Sequence, residues 1–200
     1  MRIENNYSVK AHNTFGINQI TKRFIEYSSA DELKELIKSG KLEQPFFHIG
    51  AGSNLLFVDD YEGTLLHSAI CYIHPVKETK DEVWVSVGAG TCWDDFVAHC
   101  VEKEWYGVEN LSLIPGEVGS AAVQNIGAYG VEVKDLLVSL KAINLLTGEE
   151  REFSNAECQY DYRYSCFKQP EMKVWAVVEV TFKLSKQPTF NLTYKGLLSE

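Results

Sequence analysis

Two short runs of small residues could do chemistry. Residues 107–130 carry Gly107, Pro115, Gly116, Gly119, Gly127 and Gly130, with Ser120, Ala121 and Ala122 directly behind Gly119. Glycine lets a backbone turn through positive φ and approach another group with no Cβ in the way. The run predicts a tight turn feeding a short helix whose amides point at an anion, because a helix start offers free N–H groups and the positive end of its dipole. On its own it could equally be a glycine-rich loop with no ligand. The second run follows an apolar stretch: Phe46-Phe47-His48-Ile49 leads into Gly50-Ala51-Gly52-Ser53-Asn54. A strand delivering such a loop would place Ser53 and Asn54 for hydrogen bonds to a pyrophosphate. It is no Rossmann fingerprint, since Leu55 stands where the third glycine belongs. Nor is it a P-loop, since no Gly-Lys-Ser/Thr follows. Two phosphate-cradling loops in one chain suggest a single extended dinucleotide held from two sides.

The elements that must position these loops are legible in part. Phe24-Ile25-Glu26-Tyr27 reads as a strand. Ser29 with Glu32 forms a capping box, and Leu33, Leu36 and Ile37 give a helical stripe that ends at Gly40. With Phe46–Ile49 this makes a small strand–helix–strand unit ending near His67. A second lobe follows. Val83, Val85 and Val87 alternate as a strand, broken by Gly88-Ala89-Gly90. Thr91 is the expected cap of a helix with Trp93, Phe96, Val97, Cys100 and Val101 on one face. Residues 136–146 read as a strand, turned at Thr147-Gly148 into Arg151-Glu152-Phe153. Ser154 and Glu157 predict another capped helix. Residues 174–184 alternate without a break, with Val174, Ala176, Val178, Val180, Phe182 and Leu184 on one face.

Several motifs occur together in order: Thr14-Phe15-Gly16, Gly50 to Leu56, Pro115-Gly116 with Gly119-Ser120, Gln124-Asn125-Ile126-Gly127-Ala128-Tyr129-Gly130, and Tyr162-Arg163 with Ser165, Phe167 and Lys168. Together they resemble the UDP-N-acetylenolpyruvoylglucosamine reductase (MurB) family over essentially the whole chain. The resemblance implies an α+β fold of two FAD-binding lobes, of the vanillyl-alcohol oxidase type, divided here into residues 1–67 and 68–200. It implies noncovalent FAD, since the first loop lacks the histidine that tethers flavin in some relatives of that fold. NADPH would reduce the FAD and then give way to UDP-N-acetylglucosamine enolpyruvate, which is converted to UDP-N-acetylmuramate in cytoplasmic peptidoglycan synthesis.

Residue by residue, the resemblance assigns the cofactor to Gly50, Ala51, Gly52, Ser53, Asn54, Leu55, Ile114, Pro115, Gly116, Gly119, Ser120, Asn125, Ile126, Gly127, Ala128, Tyr129 and Gly130. On this reading valine at Gly52 or Gly119 would intrude where the pyrophosphate approaches. Arg163 alone could be half of a surface ion pair; the resemblance places it in the active site, where a permanently charged guanidinium grips a carboxylate. Tyr194 is implied near the substrate. The family's serine proton donor and glutamate are expected beyond Glu200, in a substrate domain absent here. The piece is therefore expected to fold but not to turn over, with its retention of FAD left open, and to self-associate through uncovered apolar surface. An oxidase of the same broad fold and a non-catalytic flavin- or nucleotide-binding module remain alternative readings.

Bulk properties narrow the class. A chain of 200 residues with 45% hydrophobic and 24% charged residues is globular in composition. A formal charge of −9 argues against nucleic acid or an anionic membrane surface as partner. No apolar run is long enough to span a bilayer, and the N-terminus lacks the apolar stretch of a signal peptide. Five cysteines without Cys-x-x-Cys spacing read as reduced thiols. The five histidines follow no catalytic pattern, and His48 reads as a strand residue.

Overall fold

A computed structural model describes residues 1–188 and 190. Tyr194 lies outside them. The architecture is α+β and rests on two sheets. The first contains β1 (Arg2–Ser8), β2 (Ile20–Tyr27), β3 (Phe46–Ile49) and β4 (Tyr61–Ser68), in the spatial order β1-β2-β4-β3. β2 and β3 both run parallel to β4, and β1 closes the edge antiparallel to β2. The strand–helix–strand unit is thus present, but β4 separates its two strands. Between β2 and β3 lies α1 (Ala30–Lys38), started by Ser29 Oγ on the Glu32 amide. Gly40 ends it at φ +66°, a left-handed conformation that costs glycine little.

The chain crosses to the second sheet after Ser68. This sheet is fully antiparallel, in the order β10-β9-β11-β6-β5, from β5 (Ile73–Glu78), β6 (Glu82–Gly88), β9 (Leu137–Asn144), β10 (Glu150–Ser154) and β11 (Trp175–Ser185). Between β6 and β9 come α2 (Trp93–Glu102), α3 (Val118–Gln124) and a small hairpin, β7 (Gly127–Ala128) with β8 (Val131–Glu132). Trp93, Phe96, Val97 and Cys100 of α2 are buried as their spacing predicts, whereas Val101 faces solvent. The helix is capped by Cys92, not Thr91. The Thr91 hydroxyl instead accepts from the Tyr72 amide and donates to the Tyr72 carbonyl, tying the turn to the chain entering β5. Ser154 and Glu157 do bond each other, but only turns follow, not a helix.

The long alternation over 174–184 is broken. Pairing with β9 runs Val177 to Ala142 and then Glu179 to Lys141, so Val178 is an extra residue. Such a bulge reverses which face every later side chain takes. As a result Ala176 and Val178 pack with Ile25, Tyr27, Leu33, Leu36 and Leu66 of the first sheet and α1. Val177, Val180, Phe182 and Leu184 face the core built on Trp93 and Phe96. One strand therefore belongs to two hydrophobic cores and ties the two sheets together.

Among the described residues no helix is long and apolar enough to cross a membrane. The five cysteines are free thiols; Cys100, Cys158 and Cys166 are buried, and Cys71 and Cys92 are exposed.

Candidate functional site

The two small-residue loops meet. Ser53 Oγ donates to the Pro115 carbonyl at 3.1 Å. A Cβ added to Gly116, which sits at φ +137°, would stand 3.4 Å from both Ser53 Oγ and Ser120 Oγ. A cleft of about 540 Å³ opens between the loops, lined on one side by Gly50, Gly52, Ser53, Asn54 and Leu55 and on the other by Ile114, Pro115, Gly116, Gly119, Ser120 and Ile126. That size falls within the ~300–1,000 Å³ usual for small-molecule sites. Its walls are otherwise largely apolar, with Ile49, Val123, Phe167, Trp175 and Val177. Arg163, Lys168 and Lys173 line it too, against a single carboxylate, Glu117. Three cations on one cleft in a chain of formal charge −9 favour an anionic ligand.

Several sequence-derived expectations are corrected here. The start of α3 does not present free amides. Val118 N donates to the Thr91 carbonyl, Gly119 N to the Ala89 carbonyl and Ala121 N to the Glu117 carbonyl. Glu117 and Ser120 close the end as a capping box. The helix start is thus spent on holding α3 against the β6–α2 turn. Glycine at 52 and 119 likewise serves packing between loops. A Cβ on Gly52, already at φ +72°, would lie 1.8 Å from the His12 carbonyl oxygen, and one on Gly119 would lie 2.8 Å from Ala89 Cβ.

The lining includes neither Ala51 nor Asn125, Gly127, Ala128, Tyr129 and Gly130. Asn125 is buried in a left-handed conformation at the end of α3. Its Oδ1 accepts from the Lys134 amide and its Nδ2 donates to the Asp161 carbonyl. Gly127 and Ala128 form β7.

That contact with Asp161 explains how Arg163 reaches the cleft. Asp161 and Tyr164 pair across a two-residue turn, Tyr162-Arg163, with Arg163 at φ +51°. A positive φ is uncommon outside glycine and is maintained only where the surroundings enforce it. Three ties enforce it here: Asn125 holds Asp161, Ser165 Oγ donates to the Val123 carbonyl at 2.7 Å, and Lys168 Nζ donates to the Arg163 carbonyl at 2.5 Å. The first two anchor the turn to α3, the helix that forms one cleft wall. Arg163 makes no ion pair among the described residues, and it lines the cleft. Burial, and then the nearby Arg163 charge, lower the Lys168 pKa.

The chain belongs to the FAD binding domain family, which it matches over residues 21–154, a span holding both loops. Over 99% of its length it is 56% identical to the UDP-N-acetylenolpyruvoylglucosamine reductase of Bacteroides fragilis. It is 46% identical to that of Porphyromonas gingivalis over 98% of its length. The solved reductase (MurB) of Thermus caldophilus superposes with a TM-score of 0.76 at 26% identity, over 94% of this chain and 64% of that one. The chain spans about 59% of the length of the curated relatives it matches.

Three histidines to which the sequence assigned no role at the site, His67, His48 and His12, stand behind the loops. His67, at the end of β4, meets Glu117 Oε1 through Nε2 at 2.8 Å and Glu26 Oε2 through Nδ1 at 2.9 Å. No local motif signals this, because the partners lie 50 and 41 residues away. His48 lines the cleft and pairs with the Tyr27 hydroxyl at 2.7 Å. Burial, reinforced by the His67 charge, pulls its pKa down to about 3, and His12 is pulled down to about 4 for the same two reasons.

These depressed values set an acid limit. In the unfolded chain both histidines take up protons near pH 6.5, which the folded chain refuses until pH 3–4. Stability should therefore fall as pH drops below about 6.5, and His48 contributes at most about 1.4 kcal/mol per pH unit to that slope. Urea midpoints measured from pH 7 to pH 4 should fall less steeply in His48→Gln, by close to one proton. An unchanged slope would show that His48 titrates normally.

Proposed function

We propose that this chain is the flavin-holding part of an NADPH-dependent reductase that converts UDP-N-acetylglucosamine enolpyruvate to UDP-N-acetylmuramate in cytoplasmic peptidoglycan synthesis. The observation that carries the reading is the convergence of both glycine loops and Arg163 on one cleft. The loops suit FAD because they line one cleft from opposite sides with small residues, and the cations suit its pyrophosphate. The residues that would hold it are those of both loops that line the cleft, from Gly50 to Leu55 and from Ile114 to Ser120, with Ile126. When bound, FAD supplies a hydride acceptor for NADPH and a hydride donor for the enol ether.

The chain's own contribution is positioning and charge. A hydride arriving at C3 of the enolpyruvyl group pushes negative charge toward C2 and the attached carboxylate. Arg163, held in its strained turn, offers a fixed cation to that charge and stabilises it more in the transition state than in the ground state. The apolar walls keep water from the reacting face and strengthen these contacts. Tyr194, outside the described residues, is proposed to stand near the substrate.

Purified chain incubated with FAD should retain flavin after gel filtration and show a perturbed flavin spectrum. A protein carrying this chain at the full length of the curated reductases should oxidise NADPH only when the enolpyruvyl nucleotide is present. Flavin reduced by an alcohol instead of NADPH would establish the oxidase reading, and retention of other nucleotides but not of FAD would establish a general nucleotide binder.

A further inference from the structure

We propose that His67 is a positioning residue for the cofactor: clamped between Glu26 and Glu117, it neutralises the Glu117 carboxylate that stands between the two glycine loops, and so couples FAD retention to its own proton. This rests on the FAD reading above and extends it to a residue outside both loops.

Glu117 is an unexpected residue at this place. It lines the cleft and caps α3, and its Oε2 would lie 3.1 Å from a Cβ on Gly50, so it occupies the gap between the loops. A bare carboxylate there would repel a pyrophosphate. Its other oxygen is the one that meets His67. Both ring nitrogens of His67 face carboxylate oxygens, at 2.8 and 2.9 Å. An ionised carboxylate only accepts hydrogen bonds, so both ring nitrogens must donate, and the ring is an imidazolium. The pair then carries no net charge toward the cleft.

The charges around His67 complete the account. On β2, Glu26 also receives Arg2 of β1 at 3.9 Å. His12 lies edge-on at 4.9 Å between ring centroids and stays neutral down to about pH 4. His48 of β3 is neutral to a still lower pH. Cys71 and Cys92 flank the carboxylates as thiols, and both carboxylates push the Cys71 pKa up, after burial. Arg2, Glu26, His67 and Glu117 therefore alternate in sign. Burial alone would lower the His67 pKa, but Glu117 and Glu26 outweigh it and the value is raised. The proton is lost as pH rises through that raised value. Loss leaves Glu117 uncompensated.

The test is the dissociation constant for FAD and for riboflavin, which lacks phosphate, followed by flavin fluorescence from pH 6 to pH 9. FAD should bind about tenfold more weakly at the alkaline end, the equivalent of a shift of about one unit in the His67 pKa on binding, while riboflavin binding stays flat. His67→Gln should bind FAD weakly at every pH. Glu117→Gln should bind FAD with a flat profile, and the double variant should recover the affinity that His67→Gln lost, which a merely structural role would not produce. A flat FAD profile in the unaltered chain, or a sloping one that survives Glu117→Gln, overturns the proposal even if His67→Gln fails to fold. FAD binding with a flat profile would overturn this inference alone. No FAD binding at any pH would overturn the proposed function with it.

Discussion

Arg163→Ala in the full-length enzyme should slow reoxidation of reduced flavin by the enolpyruvyl nucleotide by on the order of 10²-fold or more, the usual cost of losing one preorganised charge contact to a developing anion. Reduction by NADPH should change little, because no carboxylate-bound charge develops in that half of the cycle. The structure favours a specific effect over a folding defect. The backbone turn at Arg163 is held by Asn125, Ser165 and Lys168, not by the guanidinium. Stopped-flow traces of the two half-reactions decide it. Equal slowing of both would assign Arg163 to flavin binding or to the fold. Arg163→Lys should recover only part of the rate, since an ammonium keeps the charge but loses the bidentate grip.

Gly52→Val should abolish the folded chain, not merely its flavin. The added Cβ would overlap the His12 carbonyl oxygen at 1.8 Å, and the site needs φ +72°, a conformation that a β-branched residue resists. The partner is backbone, so no rotamer change relieves the clash. The 9–12 turn containing His12 is itself pinned by Asn13, whose amide group donates to the carbonyls of Val9 and Ile17. Loss of a cooperative thermal transition and of native circular dichroism is the expected result. A Gly52→Val protein that melts normally and lacks only FAD would restore the direct pyrophosphate role for this glycine. Gly119→Val should behave similarly but less severely, since its contact is the Ala89 side chain at 2.8 Å.

Much of the architecture was written in local patterns. Ser29 and Glu32 announced α1, the valines of β6 announced a strand, and the Trp93–Phe96–Val97–Cys100 stripe announced α2, because capping and burial on one face act over three or four residues. The small residues near Gly50 and Gly116 marked the two loops for the same reason. Where two local signals competed, the larger fold chose: Thr91 had the right type for a cap but was used by Tyr72, and Ser154 with Glu157 made the cap without the helix. The bulge at Val178 had no local sign at all. It follows from one strand having to fill two cores on opposite faces, a demand that exists only once the sheets are packed. The site divides along the same line. Sequence supplied the residue types, including the arginine. Tertiary structure decided that the α3 amides are spent internally, that Asn125 pins the arginine turn, and that His67 joins Glu26 to Glu117. These are contacts across dozens of residues, and nothing in the chain's own periodicity encodes which partners the fold will bring within hydrogen-bond reach.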